Sequence, residues 1–238
     1  MIRNPEIDTD KEVPFKQLLI IDFDRTLGDV DASMQCLYAA SDVVGITTQQ
    51  IKVAQKQTED DGGSFEPLSH IYRLLSESER SIFKKTFIQL GRETILYEDA
   101  QTFLEVIKFL PHCVLTYGVS RDWQELKIQA SGYTGPYKIV NTTSKGAIIT
   151  SWQSPDSLYH LQQPDGTTVK AQSVCLIDDK PIAFSGLPAG AIGFLIQRHS
   201  NLLPSQRGEL PPGVSIINSL SEIEFKNFSY FSRVNRSA

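Results

Sequence analysis

Two aspartates one residue apart, Asp22 and Asp24, close the apolar run at residues 18–23 (LLIIDF). Alternate residues of an extended chain project the same way, so the oxygens of this pair can converge on one ion. An apolar run ending in acid is also the pattern of a parallel strand buried on both faces. Ligands of open parallel sheets sit beyond the carboxyl ends of the strands, where this pair emerges. Two carboxylates facing a phosphate dianion repel it and each other, so such a site calls for a hard cation with oxygen ligands, which Mg²⁺ satisfies. Taken alone, Asp-x-Asp after a strand is more often a solvated turn or a helix cap.

Further along lie three more elements of the same kind. In Val114-Leu115-Thr116-Tyr117-Gly118 an apolar strand ends in a hydroxyl. Thr116 is placed to donate to a phosphoryl oxygen, and the backbone N–H groups of Tyr117 and Gly118 to approach it closely, since glycine has no side chain. Lys145, in Thr143-Ser144-Lys145-Gly146, offers an ammonium for phosphoryl charge, with Lys138 as the second candidate. A lone loop lysine is ordinarily just solvated. Residues 174–180 (VCLIDDK) then repeat the logic of the first strand. Asp178 would complete the metal ligands, while Asp179 would bond metal-bound water or hold the lysine in place. Each element has a plain alternative as a strand end or turn; what joins them is their order, Asp-x-Asp, Thr, Lys, Asp-Asp, mostly directly after apolar strands.

Positioning these groups requires a sheet. Short strand-like runs recur at 113–116, 139–140, 174–177 and 191–196 with mixed or helical segments between several of them, which predicts a parallel α/β arrangement. From about 29 to 97 strand signals vanish, and 33–44, 47–58 and 77–95 read as helices, broken by Asp60-Asp61-Gly62-Gly63-Ser64. The expected organisation is a core of residues 1–29 and 98–238 with a small helical cap at 30–97. A helix over 99–110, stopped by Pro111, resumes the core. Residues 121–123 are expected to open the helix after Thr116. A hairpin is expected within 153–170 around Pro164-Asp165-Gly166, and the tail after Lys226 has no clear periodicity.

Composition narrows the partners. The 238 residues are 40% hydrophobic and 21% charged, as in ordinary globular chains of one or two domains. A net charge of -5 and a pI of 5.4 lack the basic surface of nucleic-acid binders and favour a small substrate. Cys36, Cys113 and Cys175 are spaced for neither a disulfide framework nor a zinc site, which fits core packing in a reducing cytoplasm. The polar, acidic start and the lack of a long apolar run argue against secretion and membrane insertion. The four histidines show no ligand-like spacing.

In this order and setting the motifs Asp22-Phe23-Asp24-Arg25-Thr26-Leu27, Thr116, Lys145 and Asp178-Asp179 resemble those of the haloacid dehalogenase superfamily over most of the chain. The resemblance implies a doubly wound, Rossmann-like α/β core with a small α-helical cap inserted after the first strand. It also implies an Mg²⁺-dependent phosphatase acting on a small phosphomonoester. Asp22 would be the nucleophile, forming an aspartyl-phosphate. Asp24 would act as general acid and then base, its backbone carbonyl joining Asp22 and Asp178 on the metal. The second acid also favours phosphorus over halocarbon chemistry. Arg25 is a departure, because the family commonly has glycine before the threonine. Of the cap cations Arg73, Arg80, Lys84, Lys85 and Arg92, one is expected to face the site, the rest being solvated. Two other readings stay open: a phosphotransferase or sugar-phosphate mutase using the same nucleophile, and a non-catalytic binding or regulatory protein of the same fold.

Overall fold

Alternate side chains of the first strand, β1 (Phe15–Ile21), enter different apolar clusters: Leu19 and Ile21 pack on one side, Leu18 and Ile20 on the other. A strand buried this way must lie inside a sheet covered on both faces. The computed structural model, which describes residues 14–163, 166–198 and 210–224, has that architecture. Pro164, Asp165, His199 and the tail after Lys226, all touched on by the sequence reading, lie outside the described residues.

The strands are β1, β2 (His112–Tyr117), β3 (Tyr137–Val140), β4 (Tyr159–Gln162), β5 (Thr168–Asp178), β6 (Ile192–Ile196) and β7 (Val214–Ile217). Their order is β3-β2-β1-β5-β6-β7, parallel throughout. β4 runs antiparallel against the first half of β5, forming the expected hairpin. Strand order reverses between β1 and β5, which makes their carboxyl ends the switch point of a doubly wound sheet.

On one side of the sheet, the buried residues of α1 (Val30–Val43), α2 (Thr48–Asp60), α3 (Pro67–Leu74), α4 (Glu77–Thr94), α5 (Glu98–Ile107) and α6 (Arg121–Ala130) join one apolar cluster with Leu19, Val114 and Ile177. The other is covered by α7 (Lys145–Ser151) and the 3-10 turn Pro181–Phe184. Local chemistry fixes several boundaries. Asp29 caps α1 by accepting from the amides of Asp31 and Ala32, and Ser76 with Glu79 forms a capping box on α4. All three cysteines are free and buried. Among the described residues no helix is long and apolar enough to cross a membrane.

The turn after β1 gives a physical reason for the glycine missing at position 25. Arg25 has φ of 60°, in the left-handed region, and its amide donates to the Gly28 carbonyl at 2.7 Å. A residue with Cβ loses about 1–2 kcal/mol there. Arg25→Gly is therefore expected to leave the thermal melting temperature unchanged or raise it. A clear fall in that melt would mean that the arginine side chain contributes contacts outweighing its strain.

Candidate active site

Strand register assembles the site. Ile21 pairs with Ile177 across β1 and β5 and with Val114 across β1 and β2. Asp22, Asp178 and Thr116 therefore emerge at one end of three adjacent strands, and the Asp22 amide continues the ladder to the Ile177 carbonyl at 2.8 Å. Lys145 comes from the first turn of α7, on the other side of the sheet. The helix can sit close because its next residue is glycine: a Cβ on Gly146 would lie 2.4 Å from the Ser185 carbonyl oxygen.

Asp22, Thr116, Lys145 and Asp178 are all buried. The Lys145 ammonium donates to Asp22 Oδ1, and to Asp178 Oδ2 at 2.6 Å. Asp178 also accepts from the Lys180 amide at 2.9 Å. Carboxylate oxygens of Asp22, Asp178 and Asp179 lie within 4.8 Å of one another, close enough to share an ion. Two buried polar atoms here have no partner, Thr116 Oγ1 and Asp179 Oδ1. Buried polar atoms are normally satisfied, so these two mark a place where a further polar group fits. Three carboxylates and no soft donor suit a hard divalent cation.

Burial and the neighbouring Asp22 push the Asp178 carboxyl up to about 7, against the opposing pull of Lys145, and Asp179 up to about 6 for the same two leading reasons. Burial alone would lower Lys145, but attraction and hydrogen bonds from Asp22 and Asp178 outweigh it and hold the ammonium above its ordinary value. A carboxyl raised on folding holds its proton more tightly in the folded chain, so this contribution favours the fold at low pH. It is lost as pH rises through about 6 for Asp179 and about 7 for Asp178. Metal binding must displace those protons. Stabilisation by added Mg²⁺ is therefore expected to be small near about pH 5 and to grow by about pH 8. Equal shifts of melting temperature at both pH values would place the ion elsewhere.

Asp22, Asp24, Thr116, Tyr117, Lys145 and Asp178, with Thr143 and Lys180, line one cavity of about 20 Å³. A wider crevice of about 480 Å³ adjoins it, sharing Lys180 and also lined by Arg25 and Asp179. Of the two lysines weighed from sequence, Lys145 is in the site; the Lys138 ammonium lies over the Trp152 ring, 4.7 Å from its centroid. Gly118 differs from expectation. Its amide donates to the Val140 carbonyl at 3.1 Å, so it is taken up by the sheet. Glycine is needed there for another reason: a Cβ would lie 2.3 Å from Gln124 Cγ. Asp179 does not hold the lysine, whose partners are Asp22 and Asp178.

Nor do the helical-segment cations reach the cavity. Arg73, Arg80, Lys84, Lys85 and Arg92 are exposed, and Arg80 is spent on the Tyr72 carbonyl at 2.9 and 2.5 Å. The cations sequence reasoning missed are Lys180 on the cavity wall and Lys127, whose ammonium binds Asp24. Lys127 lies four residues after Trp123 and three after Gln124, one face of α6, a spacing visible in the sequence. Its partner, 103 residues away in the chain, is not.

No protein-family model matches the sequence, and no curated protein matches it. Solved structures do match by shape. One is a Burkholderia xenovorans LB400 protein described as a haloacid dehalogenase-like hydrolase: 16% identity, TM-score 0.58, covering 92% of this chain and 100% of that one. Another is a HAD phosphatase from Thermococcus onnurineus, with 15% identity, TM-score 0.51 and the same coverage. With the parallel sheet and its switch point between β1 and β5, these likenesses establish that the chain has the fold of the haloacid dehalogenase-like hydrolases.

Proposed function

We propose that this protein is an Mg²⁺-dependent phosphohydrolase that acts on a small phosphomonoester through an aspartyl-phosphate on Asp22. The observation that carries the reading is the buried cluster of Asp22, Asp178 and Lys145 beside the unpartnered hydroxyl of Thr116. Neutral strand ends would not gather these groups, because burying carboxylates costs free energy unless a cation answers them.

Asp22, Asp178 and Asp179 would hold the metal, with the Asp24 carbonyl as a further oxygen. When bound, the ion supplies positive charge to the phosphoryl oxygens and offsets the carboxylates. Asp22 attacks phosphorus in line, and the ester oxygen leaves with the proton that Asp24 provides. Water then attacks the aspartyl-phosphate while Asp24 takes its proton, restoring Asp22 and releasing phosphate. Thr116 donates its hydroxyl to a phosphoryl oxygen and Lys145 balances charge that shifts from Asp22 onto the phosphoryl group. The crevice walled by Arg25, Asp179 and Lys180 is the room for the rest of the substrate, and the helical segment acts as the cap that keeps bulk water out.

Phosphate release from a panel of small phosphomonoesters, with and without Mg²⁺, tests the reading. Metal-dependent accumulation of inorganic phosphate supports it, whereas phosphorylated product without free phosphate would make the protein a phosphotransferase or mutase. A protein that binds no Mg²⁺ and releases no phosphate would be a non-catalytic member of the fold.

A further inference from the structure

Asp24 is fixed from α6. The Lys127 ammonium lies 2.5 and 2.6 Å from its two carboxylate oxygens, and the Gln124 side-chain amide donates to Oδ2 at 2.8 Å. That amide also donates to the Tyr117 carbonyl at 2.9 Å, so it bridges Asp24 to the end of β2. Lys127 is 3% exposed, while the Asp24 side chain is 26% exposed and borders the cavity. A carboxylate with access to water has no need of a buried lysine for its own solvation, and burying a lysine is costly. The arrangement makes sense if the orientation of Asp24 is what the lysine and glutamine secure. Gly118 admits the Gln124 side chain, and the Trp123 ring lies 5.4 Å from the Lys127 ammonium. The same helix carries the helical segment: Trp123 packs edge-on against Phe87 of α4 at 5.3 Å, and a Cβ on Gly91 would lie 2.8 Å from the Ala130 Cβ.

We propose that Lys127 and Gln124 are positioning residues that aim the Asp24 carboxylate for its proton transfers, with α6 as the strut that ties this aim to the seating of the cap. The proposal rests on the phosphohydrolase reading, in which Asp24 gives a proton to the ester oxygen and then takes one from water. Lys127 lines neither the cavity nor the adjoining crevice and acts through Asp24. Its loss should therefore lower kcat more than it raises KM, and should matter most for esters whose leaving oxygen most needs the proton.

A double-mutant cycle tests this, using wild type, Lys127→Met, Asp24→Asn and the double variant, with saturating Mg²⁺ and both an alkyl and an aryl phosphate. Lys127→Met is expected to lower kcat on the alkyl ester about 10- to 100-fold, the usual effect of removing a group that orients a reacting ligand, and less on the aryl ester. Lys127→Arg should recover part of the loss. In the Asp24→Asn background Lys127→Met should cost little more, because the residue it acts through is already gone. Melting temperatures of the same four proteins read the contact without turnover: Lys127→Met should lower the melt more with Asp24 present than in the Asp24→Asn background. Equal losses in both backgrounds, in kcat or in melting temperature, or a kcat unchanged in Lys127→Met, would overturn the proposal. Should Lys127→Met fail to fold, Gln124→Met removes one of the three hydrogen bonds and is held to the same cycle. Release that survives Asp22→Asn would overturn the phosphohydrolase reading instead, so the two failures are told apart.

Discussion

Asp22→Asn is expected to lower phosphate release by about 10⁴-fold or more, the scale seen when a covalent nucleophile is removed from a site that otherwise stays intact. Asparagine keeps the shape and can still contact Lys145 but has no anionic oxygen to attack phosphorus. The fold should not suffer in proportion. Beside burial, the negative charge of Asp22 is what most raises both Asp178 and Asp179, so its neutralisation removes repulsion from the buried cluster. Asp178 and Asp179 should then ionise at lower pH than in the wild type. The metal-free variant is accordingly expected to melt at or above the wild-type temperature near about pH 8, where that repulsion is fullest. Phosphate release and a thermal melt on the same preparation check both halves. A dead variant that is also grossly unstable would leave the lost activity to misfolding, and a stable variant that keeps releasing phosphate would remove Asp22 from the chemistry.

The parts of this fold legible in the sequence are those set by local pattern. The second half of β1 and the end of β5 are continuous apolar runs because both faces are covered, and they run into acid because their carboxyl ends form the site. Of the helices between Val30 and Thr94, α1, α2 and α4 overlap the helical segments expected at 33–44, 47–58 and 77–95. The eight-residue α3, opened by Pro67, was not read from the sequence, nor was the four-residue β7. Helices so short draw most of their stability from packing rather than propensity, and a lone four-residue apolar run has no period to separate strand from helix. Motif order pointed to the residues around the cavity, and strand register explains why: Asp22, Thr116 and Asp178 end adjacent strands. What local pattern does not carry is pairing across the chain. Nothing near Asp24 announces Lys127, nothing near Gly118 announces that its amide is spent on Val140, and nothing along the helical segment shows that its five cations are exposed and absent from the cavity wall.

Lys145→Met should separate charge balance from metal binding. In the wild type its ammonium answers two buried carboxylates, Asp22 and Asp178, so removing it leaves both without a cation. Breaking a buried pair by deleting one partner costs roughly 3–5 kcal/mol. Here the loss should depend on pH, because Asp178 can escape by protonation below the value of about 7 to which it is already raised, and higher still once its lysine is gone. The metal-free variant is thus expected to be nearly as stable as wild type in mild acid and clearly less stable in mild base, the loss growing as pH rises through the carboxyl range. Added Mg²⁺ should recover much of it, since a divalent cation at Asp22, Asp178 and Asp179 replaces the missing charge. With one competing cation removed, Mg²⁺ should bind no more weakly than to wild type. Turnover should nonetheless fall by about 10²–10³-fold, the cost of losing a preorganised donor to the transferring group. Calorimetric Mg²⁺ titration, thermal melts across pH and phosphate release give the three readings. Should Mg²⁺ affinity collapse together with turnover, Lys145 would be a support for the metal cluster, whereas retained affinity with lost turnover assigns it to the phosphoryl charge.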